Sequence, residues 1–269
     1  MNISPQQVKE LRDRTGAGIL ACKKALQQTE GSIEQAIDIL RAEGVAKAAR
    51  RENREAREGV IRLRIDENGR KAALLELNCE TDFVARTQDF LALADELTDL
   101  LLEKGETALE EAGPQSRVSD LAATIGEKIT LGRAVRWQKE GWIGSYLHHN
   151  GRVAALVELG ENLPEAAGEL AMQAAAVNTP YLNEDAVPEE EKNREWEIFR
   201  QQVQDKPEAI QDKIINGKWR KRLTELCLVN SPLVRDDKLS VAQYLEQQKS
   251  PTGQPVELKD FIRWRLGET

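Results

Sequence analysis

Across residues 1–44, apolar positions recur every three or four places in three short runs, each bounded by turn or capping residues. Ser4 followed by Pro5 marks a helix start, because Pro at the first helical position gives up an N–H that has no intrahelical partner. Val8 and Leu11 supply the buried stripe of this helix, and Thr15-Gly16-Ala17-Gly18 ends it. The spacing predicts a second helix from Ile19 to Thr29, with Cys22, Ala25, Leu26 and Thr29 inward and Gly31 as the break. Ser32 opens a third, in which Ile33, Ala36, Ile37 and Leu40 share a face until Gly44 stops the run. Helices of about ten residues are marginal alone in water, so the three are expected to bury one small core. Residues 45–58, VAKAARRENREARE, interleave Arg50, Arg51, Arg54 and Arg57 with Glu52, Glu55 and Glu58. That alternation reads as a solvated linker helix rather than a basic nucleic-acid patch.

An internal duplication follows. GVIRLRIDENGRKAALLEL, from Gly59, and GWIGSYLHHNGRVAALVEL, from Gly141, align at a constant offset of 82 residues (59 to 141). Gly59, Ile61, Asn68, Gly69, Arg70, Glu76 and Leu77 recur as Gly141, Ile143, Asn150, Gly151, Arg152, Glu158 and Leu159. Asn-Gly between two β-rich runs signals a hairpin whose two turn residues both take positive φ. Each hairpin leads into a helix, Asp89 to Lys104 in the first copy and Pro164 to Val177 in the second. Closing strands are predicted at Ile129–Gln138 and Val256–Leu266. Before the first lies a short helical insertion around Ser119 to Gly126. Before the second lies a long one: Pro188 to Gln204 with Trp196, Phe199 and Val203 on one face, then Lys206-Pro207, then Ile210, Ile214, Leu223 and Leu226 at helical spacing. Two helices joined at a Pro turn read as a helical hairpin.

The fold class is therefore α+β: a three-helix domain (1–44), a charged linker helix (45–58), and two duplicated subdomains (59–140 and 141–269), each with a three-stranded antiparallel sheet under helices. The helical insert of the second spans about 183–230, and either packs on its own core or forms an isologous dimer.

Composition narrows the functions. The 269 residues carry 38 Lys+Arg against 46 Asp+Glu, a formal charge of −8, which argues against direct nucleic-acid binding. No apolar run approaches the ~20 residues of a membrane helix, and MNISPQQVKELRDR lacks the order of a secretory signal; a cytosolic chain is expected. Cys22, Cys79 and Cys227 lie too far apart for a metal knuckle and read as buried thiols. Gly217-Lys218 is followed by Trp219, not by a hydroxyl residue, so there is no phosphate loop. Adjacent His148 and His149 on a strand would face opposite sides, which suits a surface contact better than a shared ligand.

Duplicated units share what folding needs, so the segment they do not share is the candidate for function. After Leu77 the first copy reads Asn78-Cys79-Glu80-Thr81-Asp82-Phe83-Val84-Ala85-Arg86-Thr87-Gln88 before its helix, whereas the second copy reaches its helix within a few residues of Leu159. Composition leaves two readings of Phe83 and Val84. Either they tuck under their own sheet, or Phe83 stands out as an apolar wedge with Asp82 beside it.

NCETDFVAR, TGAGILACKKAL, EGVIRLRID, LAMQAAAVNTPYL, KPEAIQDKIINGKWRK and the terminal DFIRWRLGE resemble the bacterial elongation factor Ts family, over essentially the whole chain. That family comprises exchange factors for the translational GTPase elongation factor Tu, which need no nucleophile, metal or cofactor of their own. The resemblance implies a ubiquitin-associated-like amino-terminal domain and a dimerisation insert in the second subdomain. It implies that Thr81, Asp82, Phe83 and Val84 insert beside helices flanking the partner's phosphate loop and magnesium site, and that Ile19 and Leu20 hold its nucleotide domain. It also implies that His148, in Tyr146-Leu147-His148, meets the partner's third domain, with His149 as the neighbouring alternative. A reading from another class is an adaptor that binds apolar peptides through Ile19 and Leu20 and keeps Phe83 buried.

Overall fold

The computed structural model describes residues 3–15, 17–51, 54–250 and 253–268; Gly16 of the expected first helix stop, and Glu52 of the charged stretch, lie outside them. The chain forms two compact units, Met1–Arg62 with Ala73–Arg136, and Leu63–Ala72 with Trp137–Glu268.

The first unit opens with helices α1 (Pro5–Thr15), α2 (Ile19–Gln28) and α3 (Ile33–Arg51). Ser4 caps α1 as expected: its Oγ accepts from the Gln7 N–H at 3.2 Å, and the Gln7 side chain accepts from the Ser4 N–H at 3.0 Å. Leu11, Cys22, Ala25, Leu26 and Ala36 form the buried core of the three helices. The expected stop at Gly44 is not there, because α3 runs through it to Arg51. One glycine costs a helix about 1 kcal/mol, and the Ala-rich VAKAA that follows favours continuation. The charged stretch is therefore no separate linker helix. It is the end of α3, followed by non-helical residues 54–57, in which Arg54 pairs with Glu80 and Arg57 with Glu55. The Arg50 and Arg51 side chains lie outside the described residues.

Strands β1 (Glu58–Ile65), β2 (Lys71–Cys79) and β3 (Ile129–Gln138) form a three-stranded sheet in the order β1-β2-β3. Between β2 and β3 come the single-turn helix α4 (Asp82–Ala85), then α5 (Gln88–Lys104), a 3₁₀ turn at Glu106–Glu110, and α6 (Ala112–Ile125). The first insertion is thus longer than predicted. Leu75, Leu77, Cys79, Val84, Phe90, Leu97 and Leu101 are among the residues that fill the core between this sheet and its helices.

The second copy repeats the plan with β4 (Trp142–Leu147), β5 (Val153–Leu159), α7 (Pro164–Ala176) and a closing β6 (Leu258–Arg265), in the order β4-β5-β6. Its strands are antiparallel, with Ile143 opposite Glu158 and Leu156 opposite Ile262. Its insert holds α8 (Glu189–Gln202) and α9 (Glu208–Leu226), which bury Phe199, Val203, Ile215, Trp219 and Leu223 in a core of their own. A further helix, α10 (Val241–Gln247), was not legible in the sequence.

Both hairpins form, but their turns differ from the expected geometry. Among the described turn residues only Gly69 (φ 62°) and Gly151 (φ 67°) take positive φ; the asparagines do not. Gly69 N–H bonds the Asp66 carbonyl at 3.1 Å and Gly151 N–H the His148 carbonyl at 2.8 Å. Each hairpin closes on a longer loop, in which an ordinary turn ends at a left-handed glycine.

The shared glutamate is buried in both copies and neutralised in both. Arg133 grips Glu76 through Nε (2.9 Å) and a terminal nitrogen (2.5 Å). Glu158 accepts from the Gly141 N–H at 3.1 Å and faces Lys139 at 3.5 Å. Burial pulls the Lys139 ammonium down, but Asp260 and Glu158 outweigh it and hold it above the usual lysine value.

Buried Gln173 of α7 ties the loop at 231–234 in place. Its Nε2 donates to Ser231 Oγ (3.1 Å) and the Pro232 carbonyl (2.8 Å), and its Oε1 accepts from the Val234 N–H (2.8 Å). Gln173→Leu strands these groups, and we expect it to cost about 2–3 kcal/mol, read as a lower urea midpoint at unchanged slope.

Candidate docking site

The segment that only the first copy carries folds as a presented side chain on a fixed base. Thr81 caps α4, its Oγ1 accepting from the Val84 N–H at 3.4 Å. One helical turn sends successive residues to different sides. Val84 and Ala85 point inward, each 6% exposed and part of the core, while Phe83 is 81% exposed. Of the two readings open for Phe83, the exposed one holds. Val84 faces its own core, so its part is to anchor the turn.

Asp82 pairs with Arg86 at 2.8 Å, one turn on. Both groups are largely open to water, so the pair is worth about 0.3–0.5 kcal/mol and is readily given up. Beneath the turn, Cys79 Sγ donates to the Thr81 carbonyl at 3.1 Å. Burial, with help from the Glu127 carboxylate, pushes the Cys79 thiol up to about 12, so it stays a neutral donor. Thr81 is held a second way, by Glu127: the carboxylate accepts from the Thr81 N–H (3.1 Å) and hydroxyl (2.8 Å). Sequence reading missed Glu127, because nothing in Gly126-Glu127-Lys128 announces a partner 46 residues away.

Ile19 and Leu20 sit in the first turn of α2, 56% and 83% exposed, while Cys22, Ala25 and Leu26 hold the helix to its core. They share the first compact unit with Phe83; His148 belongs to the second. The expectation that His148 and His149 face opposite sides of a strand is overturned. Strand β4 ends at Leu147, so both lie in the turn, where their ring centroids are 4.3 Å apart. The Tyr146 hydroxyl lies 3.1 Å from His148 Nδ1.

Large apolar side chains held in water by buried neighbours are how a protein offers a contact surface to another protein. Phe83 and Leu20 are such side chains, 81% and 83% exposed. Known proteins say on what occasion. A family model described as Elongation factor TS matches residues 80–268. The chain is 40% identical to an elongation factor Ts of Nitratidesulfovibrio vulgaris (strain DP4), covering 100% of this chain and 97% of that protein. It is 37% identical to one of Clostridium botulinum (strain Alaska E43 / Type E3), covering 99% and 93%, and 39% identical to one of Clostridium kluyveri (strain ATCC 8527), again covering 99% and 93%. The chain belongs to the elongation factor Ts family, and its role lies in translation elongation. Among the described residues, no helix is long and apolar enough to cross a membrane.

Proposed function

We propose that the chain is a guanine-nucleotide exchange factor that binds elongation factor Tu carrying GDP and promotes GDP release in the cytoplasm. The reading rests on Phe83, an apolar ring held in water by a segment that only one of two duplicated copies possesses. Such a factor catalyses no covalent step. It binds the nucleotide-free partner better than the loaded one, and the coupling is reciprocal, so GDP weakens its own displacer.

Magnitudes decide how the work is divided. A release about 10³–10⁴ times faster asks for roughly 4–6 kcal/mol of differential binding. Burying Phe83 supplies about 1.5–3 kcal/mol. Thr81 and Asp82 sit beside it, where Asp82 exchanges its weak pairing with Arg86 for the dislodged helices around the partner's magnesium and phosphate site. Ile19 and Leu20 on one unit, and His148 on the other, hold the partner while this happens. Contacts equal in both nucleotide states set affinity and leave the rate alone.

The adaptor reading needs Phe83 buried, and at 81% exposed it is not. The direct test is stopped-flow release of fluorescent GDP from elongation factor Tu. Added chain should accelerate release in a saturable way, and GDP should reverse capture of the GTPase on immobilised chain. Capture indifferent to GDP would return the adaptor.

A further inference from the structure

At the junction between β2 and α4, two carboxylates cross-link the chain to the joint between α6 and β3. Glu127 accepts the Thr81 N–H and hydroxyl. In return, Glu80 accepts the Lys128 N–H at 2.6 Å. The pairing is reciprocal: each of two adjacent residues on one segment meets its counterpart on the other. Gly126, left-handed at φ 89°, turns the chain off α6 so that Glu127 arrives beneath Thr81. The second copy closes the same junction with a backbone bond, Gly160 N–H to the Glu257 carbonyl at 2.9 Å, and goes straight into α7. In the first copy the side-chain cross-link lies directly beside the turn that presents a ring to solvent.

A single helical turn of four residues has no stability of its own, because nucleation fixes several dihedrals for one hydrogen bond. Without its base, the turn carrying Phe83 samples many orientations, and ordering it falls due when it docks. Between the strand and that turn, the carboxylate holds Thr81 at two atoms.

We infer that Glu127 is a positioning residue for exchange: its carboxylate pre-sets the α4 turn so that Phe83 is delivered in its working orientation. The inference rests on the exchange reading above. Glu127 acts through Phe83 and does not itself meet the partner, so its removal costs saturated rate more than affinity.

The test measures fluorescent-GDP release from elongation factor Tu against factor concentration for the parent chain, Glu127→Ala, Glu127→Gln, Phe83→Ala and the Glu127→Ala/Phe83→Ala double variant. Glu127→Ala should lower the saturated rate about tenfold, with the half-saturating concentration within about twofold. Glu127→Gln keeps the shape and one acceptor, so it should fall between parent and Ala. On the Phe83→Ala background, Glu127→Ala should add no further loss, because the cycle then has nothing left to couple. Equal losses on both backgrounds, or a parental saturated rate in Glu127→Ala while Phe83→Ala is slow, would overturn the inference and leave the exchange reading standing. A parent chain that fails to accelerate release would sink the exchange reading itself.

Discussion

Replacing Phe83 with alanine is expected to slow saturated GDP release by about ten- to a hundredfold, the range that 1.5–3 kcal/mol of lost burial sets. The ring is 81% exposed in the free chain, so its removal takes nothing from the folded core. Exposed substitutions away from special contacts usually move stability by less than about 0.5 kcal/mol, and the melting temperature should stay put. Val84 and Ala85 remain to seat the turn, and the clamp on Thr81 is untouched. Leu20→Ala is the contrast. Leu20 is equally exposed, on α2; under the proposed exchange function it grips without displacing, so its loss should raise the half-saturating concentration and spare the saturated rate. Stopped-flow titrations of both variants separate the two roles. A Phe83→Ala chain that releases GDP at the parental rate removes the wedge from the mechanism.

How far these assignments were legible in the sequence depends on the range of the interaction behind each. The doubled scaffold was legible because alignment at one offset compares like with like; Glu76 and Glu158 recur, and both prove to be buried and paired with a cation. The hairpins were legible from Asn-Gly, yet the turn type was not. Asn and Gly fit either a two-residue turn or the end of a longer one, and strand length decides between them. The same one-residue question at the end of β4 decided whether two histidines diverge or lie side by side, their rings tilted by 54°. Gly44 misled in a different way. A glycine at a C-cap and a glycine passed over by a continuing helix look alike until the next residues are weighed. Composition and spacing left the exposure of Phe83 open, and only the family resemblance pointed to it. NCETDFVAR has no period of two or of 3.6, and the side chain that fixes Thr81 comes from Glu127, across α5 and α6. Local pattern shows where the duplication breaks; only the fold shows what holds the broken segment out.

The duplication also predicts a matched pair of stability losses. Gly59→Ala and Gly141→Ala are each expected to cost about 3 kcal/mol or more, as overpacking against a fixed neighbour does. A Cβ on Gly59 would sit 2.1 Å from the Leu77 carbonyl oxygen, and one on Gly141 would sit 2.2 Å from that of Leu159. In each case the obstacle is backbone at the far end of the paired strand, which cannot retreat without breaking its own ladder. Gly59 also has φ +148°, where an L side chain is strained whatever the space. The equivalence of the two sites is physical: at the start of its first strand each copy passes close against the backbone at the end of the strand it pairs with, and only a residue without a side chain fits. Gly217 of α9 supplies the opposite sign. It is an exposed interior helix residue with nothing within 4 Å of its would-be Cβ, so Gly217→Ala should stabilise by up to about 1 kcal/mol. Thermal unfolding followed by circular dichroism would show the first two melting well below the parent and the third slightly above it. If Gly59→Ala melts with the parent, the close approach of Gly59 to the Leu77 backbone is not how the chain packs in solution, and the junction that launches the Phe83 segment has to be redrawn.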